Sequence, residues 1–102
     1  MALVTMNEIL PAARKEKRAV GAFNVANYET ALAVLKAAEA EKSPVIIQVY
    51  MRLFTSDKAA DIAGMLRRLA HRADQPIALH LDHGENLEQV SVALKAGYTS
   101  GC

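Results

Sequence analysis

Ser43-Pro44-Val45-Ile46-Ile47-Gln48-Val49-Tyr50 is the stretch whose reading decides the fold. Val45, Ile46, Ile47 and Val49 are β-branched and the run is nearly continuous in apolar character. A strand with one wet face alternates, whereas a strand covered on both faces reads like this one. Pro44 marks its start, because the residue before a proline is pushed out of helical geometry and a preceding helix must end there. Strands buried on both faces belong to parallel sheets, whose crossovers are usually helices. Working back, Ala31, Val34, Leu35 and Ala38 have helical spacing, with Asn27 as N-cap, and Val20–Val25 before them is a short strand-like run. Working forward, Thr55-Ser56-Asp57 offers a cap. Ile62, Met65, Leu66 and Leu69 then form an i, i+3, i+4, i+7 stripe, with Lys58, Asp61, Arg68 and Arg72 opposite. Pro76 resets the chain, and Ile77-Ala-Leu-His-Leu-Asp-His83 predicts a third strand.

Farther out, Asn86 with Gln89 resembles a weak capping box, Leu87, Val90 and Leu94 form an apolar stripe, and Gly97 stands where a helix stops. At the other end, Thr5 with Glu8 is a second capping-box pattern, followed by Met6, Ile9, Leu10 and Ala13 at helical spacing. Pro11 either kinks that helix or opens a shorter one in its first turn. The tally is helix–β–α–β–α–β–α, an α/β fold with parallel strands joined by right-handed crossovers.

Composition narrows the function classes. The chain has 102 residues, formal net charge +1, 52% apolar and 23% charged residues, three histidines and one cysteine. That is a single domain's length, residues 1–102, with too much apolar character for a disordered segment. Without a Lys/Arg block, nucleic acid is not the expected partner. No apolar run reaches the ~18 residues of a membrane span, so no membrane association is expected. Met1-Ala-Leu-Val-Thr5 lacks a secretory pattern, and one cysteine makes no internal disulfide; a cytoplasmic protein is expected.

In parallel α/β proteins ligands gather at the C-terminal ends of strands. Those ends offer Asn24 on the first strand, Gln48 and Tyr50 on the second, and His80, Asp82 and His83 on the third. With a period of two, His80 and Asp82 share a face while Leu79 and Leu81 take the other. A carboxylate and two imidazoles within four residues point to partners or a ligand, and a metal ion with an adjacent acid–base carboxylate meets that need. Taken singly, His80 reads as a structural histidine bonded to its neighbours, His83 as either a cap or a ligand, and Asp82 as a possible loop cap. His71 reads as a surface residue, Met51 and Phe54 as packing, and Cys102 shows no sign of an activated thiolate.

Together these strand ends resemble the class II, zinc-dependent ketose-bisphosphate aldolases. The resemblance is carried by Gly21-Ala-Phe-Asn-Val25, Ser43-Pro-Val-Ile-Ile-Gln48, Leu79-His-Leu-Asp-His-Gly84 and Ala96-Gly-Tyr-Thr-Ser100, in the family's order. It implies a TIM (β/α)8 barrel to which this chain contributes the N-terminal helix and the first three βα units. Such a barrel takes roughly 250 residues. It implies aldol cleavage of fructose- or tagatose-1,6-bisphosphate to glycerone phosphate and glyceraldehyde 3-phosphate, a lyase reaction of carbohydrate metabolism. Asp82 is then the acid–base residue, His83 a ligand to Zn²⁺, and Asn24 a substrate-binding residue, with Gln48 lining the barrel mouth; Tyr50, which carries a hydroxyl where the family has a smaller one, is a further candidate for substrate binding. In the family Tyr98-Thr-Ser100 runs into a fourth strand, and the remaining zinc ligands lie on later strands. Where the family carries a small hydroxyl residue and a glycine turn after Gln48-Val49, this chain reads Tyr50-Met-Arg52. The alternative reading is an incomplete barrel that acts only by association, with itself or with a complementing chain, through open sheet edges. A flavodoxin-type module would need a glycine-rich phosphate loop after the first strand, and Val25-Ala-Asn27 supplies none.

Overall fold

The computed structural model describes residues 3–50, 57–82, 91, 94–95 and 97–101, with the backbone alone for Tyr50 and residues 57–60. Helix α1 (Met6–Lys15) opens the chain, followed by β1 (Ala22–Asn24), α2 (Tyr28–Glu41), β2 (Val45–Tyr50), α3 (Asp57–Arg72), β3 (Ile77–Asp82) and β4 (Ser100–Gly101). The four strands lie side by side in the order β1-β2-β3-β4 and every pair is parallel, so each crossover advances the sheet by one strand in the same direction.

The sheet's two faces differ. Val45, Ile47 and Val49 of β2 and Ile77, Leu79 and Leu81 of β3 project onto one face. There they pack against Ala31, Leu35 and Ala38 of α2 and Ala63, Leu66, Leu69 and Ala70 of α3. On the other face a smaller cluster forms at the strands' N-terminal ends, where Ile9 of α1 meets Ile46 and Ala78, flanked by Val4, Met6 and Val20. Toward the C-terminal ends that same face turns polar. This change of character along one face is what the site is built on.

The helix boundaries follow local chemistry. Asn27 caps α2 by accepting the Thr30 N–H at 2.9 Å, and Thr30 Oγ1 returns the bond from the Asn27 N–H at 3.1 Å. At the other end Lys42 adopts the left-handed conformation (φ 51°), which releases the chain into Ser43-Pro44. In α3 Leu66 and Leu69 of the expected stripe are buried, Ile62 and Met65 are partly buried, and Asp61, Arg68 and Arg72 are exposed, as is His71.

Several expectations are corrected. The Thr5–Glu8 capping box does not form, since Thr5 has extended backbone (φ −95°, ψ 164°) but makes no side-chain cap bond. Pro11 lies within one continuous helix, on its exposed side, and does not open a shorter one. Leu10 is 45% exposed because Ile9 and Ala13, four apart, already form the buried edge of α1. Leu94 is 52% exposed, and Tyr98 takes the core position instead. Gly97 does stop the chain's helical path, at φ 113°, where a Cβ would run into the Arg67 side chain.

The three expected strands are followed by a fourth. Thr99 recruits it: its N–H donates to the Leu79 carbonyl at 2.8 Å and its Oγ1 accepts the Leu79 N–H at 3.1 Å. Ser100 and Gly101 then pair with His80 and Leu81. The expected caps at Thr55 and Ser56, the packing of Met51 and Phe54, the stripe residues Leu87 and Val90, and the Asn86–Gln89 box lie outside the described residues, as do Arg52 and Cys102.

Candidate functional site

A single register level brings four polar residues from four strands into one row. Asn24 is opposite Gln48, Gln48 opposite His80, and His80 opposite Ser100. Because side chains alternate along a strand, these four share the face turned away from α2 and α3. Gln48 Nε2 donates to Asn24 Oδ1 at 2.8 Å, and His80 Nδ1 lies 2.8 Å from Ser100 Oγ, so the row is closed in two pairs. One level farther along the strands Tyr50 stands opposite Asp82. The level before the row holds Ala22, Ile46 and Ala78, the last two under α1. The site therefore has an apolar floor, a polar layer above it and a carboxylate above that.

Burial deepens across the row, from exposed Asn24 through half-buried Gln48 to His80, which is 9% exposed. Burial pulls the His80 imidazole below its usual value, and the charge of Asp82, two residues on, pushes back against that shift. Burial prevails, so the ring is neutral at pH 7 and carries one donor and one acceptor nitrogen. The row thus offers amide, imidazole and hydroxyl groups suited to a hydroxylated or carbonyl ligand, with one ionisable carboxylate beside them.

Of the residues singled out in the sequence, Asn24 and Gln48 are brought into direct contact. Asp82 ends β3, half-buried, on the same face as His80. Tyr50 is described by its backbone alone, at the register position opposite Asp82. His83 lies outside the described residues. Among the described residues no group of three or more His, Cys, Asp and Glu side chains is arranged to hold a metal ion, so those residues by themselves do not make a zinc site.

Sequence reasoning treated His80, taken singly, as a structural histidine, and took in Ser100 only as the end of the Ala96–Ser100 motif, with no role at the site. His80 does bond a neighbour, and that neighbour is Ser100. A two-residue strand leaves no periodic signal, so Ser100 became visible only once β4 had its register.

The class-II fructose-bisphosphate aldolase family model matches residues 4–101 of this chain. A probable fructose-bisphosphate aldolase of Bacillus subtilis is 41% identical over 98% of this chain and 36% of its own length. A 6-phospho-5-dehydro-2-deoxy-D-gluconate aldolase of Halalkalibacterium halodurans is 38% identical, again over 98% of this chain and 36% of its own. The crystal structure of the YdjI aldolase from Escherichia coli K12 superposes with a TM-score of 0.90 at 31% identity, covering 97% of this chain and 39% of that one. The chain thus spans little more than a third of the length of these relatives. With the family model covering nearly every residue and the polar strand ends in place, the chain belongs to the class-II fructose-bisphosphate aldolase family.

Proposed function

We propose that this chain carries the first part of a TIM-barrel aldolase site that cleaves a phosphorylated ketose between its third and fourth carbons, with Asp82 moving the proton of the adjacent hydroxyl. The observation that carries the reading is the polar row at the C-terminal ends of the parallel strands, with Asp82 one level above it on the same face. The sequential strand order, with α2 and α3 on one face and the polar groups on the other, supports a barrel whose interior is the polar face. Asn24 and Gln48, bonded to each other, are positioned to orient hydroxyl groups of the substrate. Asp82, half-buried and ionisable, takes the C4 hydroxyl proton as the bond breaks, a role typically worth ~10²–10⁴-fold. A bound Zn²⁺, with His83 as this chain's ligand, would supply Lewis-acid stabilisation of the charge that develops on the ketone oxygen. Fructose- or tagatose-1,6-bisphosphate is the proposed substrate, and a cytoplasmic setting suits both the substrate and the single cysteine.

The test is an aldol-cleavage assay on a chimera that joins this chain to the remaining part of the 41%-identical Bacillus subtilis relative, with both bisphosphates and with 6-phospho-5-dehydro-2-deoxy-D-gluconate, the substrate in another relative's name. Cleavage of a bisphosphate that falls by ~10²–10⁴-fold in Asp82→Ala and disappears with a chelator is the expected result. Turnover that survives both treatments, or turnover of the deoxygluconate alone, would overturn the reaction or the substrate proposed.

A further inference from the structure

We infer that Ser100 decides which partners pair in the polar row, and that through His80 and Gln48 it is a positioning residue for Asn24; the second half rests on the proposed substrate-binding role of Asn24. The row holds four side chains at one register level, in the order Asn24, Gln48, His80 and Ser100. Neighbouring strands lie about 4.8 Å apart, so each group reaches only the one beside it. β1 and β4 are the outer strands of the four, and Asn24 and Ser100 therefore end the row. Four groups in line are all satisfied in one way, as two end pairs. That is the pairing observed, with Gln48 on Asn24 at 2.8 Å and His80 on Ser100 at 2.8 Å. It does not depend on which atoms donate. A serine hydroxyl suits a histidine nitrogen of either kind, and a carboxamide turned over exchanges donor for acceptor.

Removing the Ser100 hydroxyl leaves three groups and room for one bond. Exposure decides which group goes without. His80 is 9% exposed, Gln48 is half-buried and Asn24 is exposed. A buried ring nitrogen without a partner forfeits its hydration, whereas an exposed carboxamide released from its partner turns to water at little cost. Gln48 stands between the two, and its carboxamide can donate or accept, so it serves His80 in either tautomer. Without the hydroxyl, Gln48 therefore leaves Asn24 for His80. Among the described residues Gln48 alone bonds the Asn24 side chain, which is then set loose. The hydroxyl itself is placed by the backbone, since Thr99, one residue earlier, ties β4 to Leu79 through its amide and its own hydroxyl. The last strand of the sheet thus acts on the first across the two between them.

The experiment is nuclear magnetic resonance on the isotope-labelled 102-residue chain, with the side-chain amide signals assigned by their loss in Asn24→Asp and Gln48→Glu. The parent chain is expected to show a nuclear Overhauser contact between the two carboxamides. That contact should be lost in Ser100→Ala, and equally in Ser100→Cys, whose thiol is a poor hydrogen-bond partner, while the contact of Gln48 with the His80 ring strengthens. Ser100→Thr, which keeps the hydroxyl, should restore the parent pattern. So should Ser100→Ala combined with His80→Leu, because no buried ring then competes for Gln48. A Gln48–Asn24 contact that survives Ser100→Ala, as when a water molecule takes the hydroxyl's place, overturns the inference. Its loss in the double variant also overturns it, since the effect would not then run through His80. The positioning role is read in the chimera of the cleavage assay. There Ser100→Ala should raise KM about 2–10-fold with kcat held, as for one neutral hydrogen bond lost, and Ser100→Thr should bring it back. A KM indifferent to Ser100→Ala overturns the positioning role. A chimera without turnover overturns the proposed reaction, and the carboxamide contacts still decide the pairing.

Discussion

Thr99 joins β4 to the sheet with its side chain and its own amide together. Its hydroxyl oxygen accepts the N–H of Leu79, a fully buried residue, and its N–H donates to the Leu79 carbonyl. Removing the hydroxyl leaves the Leu79 N–H in an apolar surrounding with no acceptor in reach of that side chain, which costs about 1–3 kcal/mol. Thr99→Val, close in shape, is therefore expected to destabilise the chain by that amount, and Thr99→Ser to recover most of it. Chemical denaturation at neutral pH reads the difference from the midpoints. Thr99→Val with parent-like stability would mean that this bond contributes nothing net.

At the scale of elements, the left-handed residue that ends α2 is the weak joint. Lys42 sits at φ 51°, where an L side chain crowds the backbone and glycine does not. Lys42→Gly removes that strain but adds freedom to the unfolded chain, so the net gain is about 0.5–1 kcal/mol. For a chain of this size that is a rise of a few degrees in Tm, measurable by calorimetry. Lys42→Ala, lacking the glycine advantage, should show no such rise. The same elements show what the sequence could and could not tell. β2 and β3 were legible because their apolar runs are continuous, and α2 and α3 because Leu35 and Leu66 recur with their neighbours at helical spacing. β4 carries no periodic pattern of its own and was legible only through the family resemblance, which places a strand after Tyr98-Thr-Ser100, while its pairing rests on Thr99 and Ser100 beside Leu79 and His80. The Thr5–Glu8 pattern was legible and misleading, since the side-chain bond it predicts is absent. For the site, Asn24, Gln48 and Asp82 were found by looking at strand ends, while the row that joins Asn24, Gln48, His80 and Ser100 needed the register.

At the scale of the whole molecule, two titrating groups on opposite faces of the sheet bound the pH range in which the fold is most stable. On the polar face, burial holds the His80 imidazole below its value of 6.5, and the Asp82 charge offsets only part of that. Its contribution is complete above the unfolded value of 6.5. As pH falls below that point the unfolded chain takes up a proton that the fold resists, and stability is lost toward the folded value. On the helix-covered face Tyr98, 5% exposed, has its phenol pushed up by burial from 10.0 to about 12. Here the sign reverses: the unfolded chain loses a proton first, so stability is complete below pH 10.0 and lost as pH rises toward 12. Two units correspond to about 3 kcal/mol, a large share of the 5–15 kcal/mol typical of a folded domain. Among the described residues the Tyr98 hydroxyl also has no hydrogen-bond partner, so Tyr98→Phe should gain about 1 kcal/mol at neutral pH. A series of denaturation curves from pH 5 to pH 11 is expected to show a plateau with two falling limbs. Tyr98→Phe should flatten the alkaline limb alone and His80→Gln the acid limb alone. Since β3 belongs to both faces, the two limbs should appear in one cooperative transition, whichever spectroscopic probe follows it. Separate transitions at the two pH extremes would show instead that the α1 side and the α2–α3 side of the sheet unfold independently.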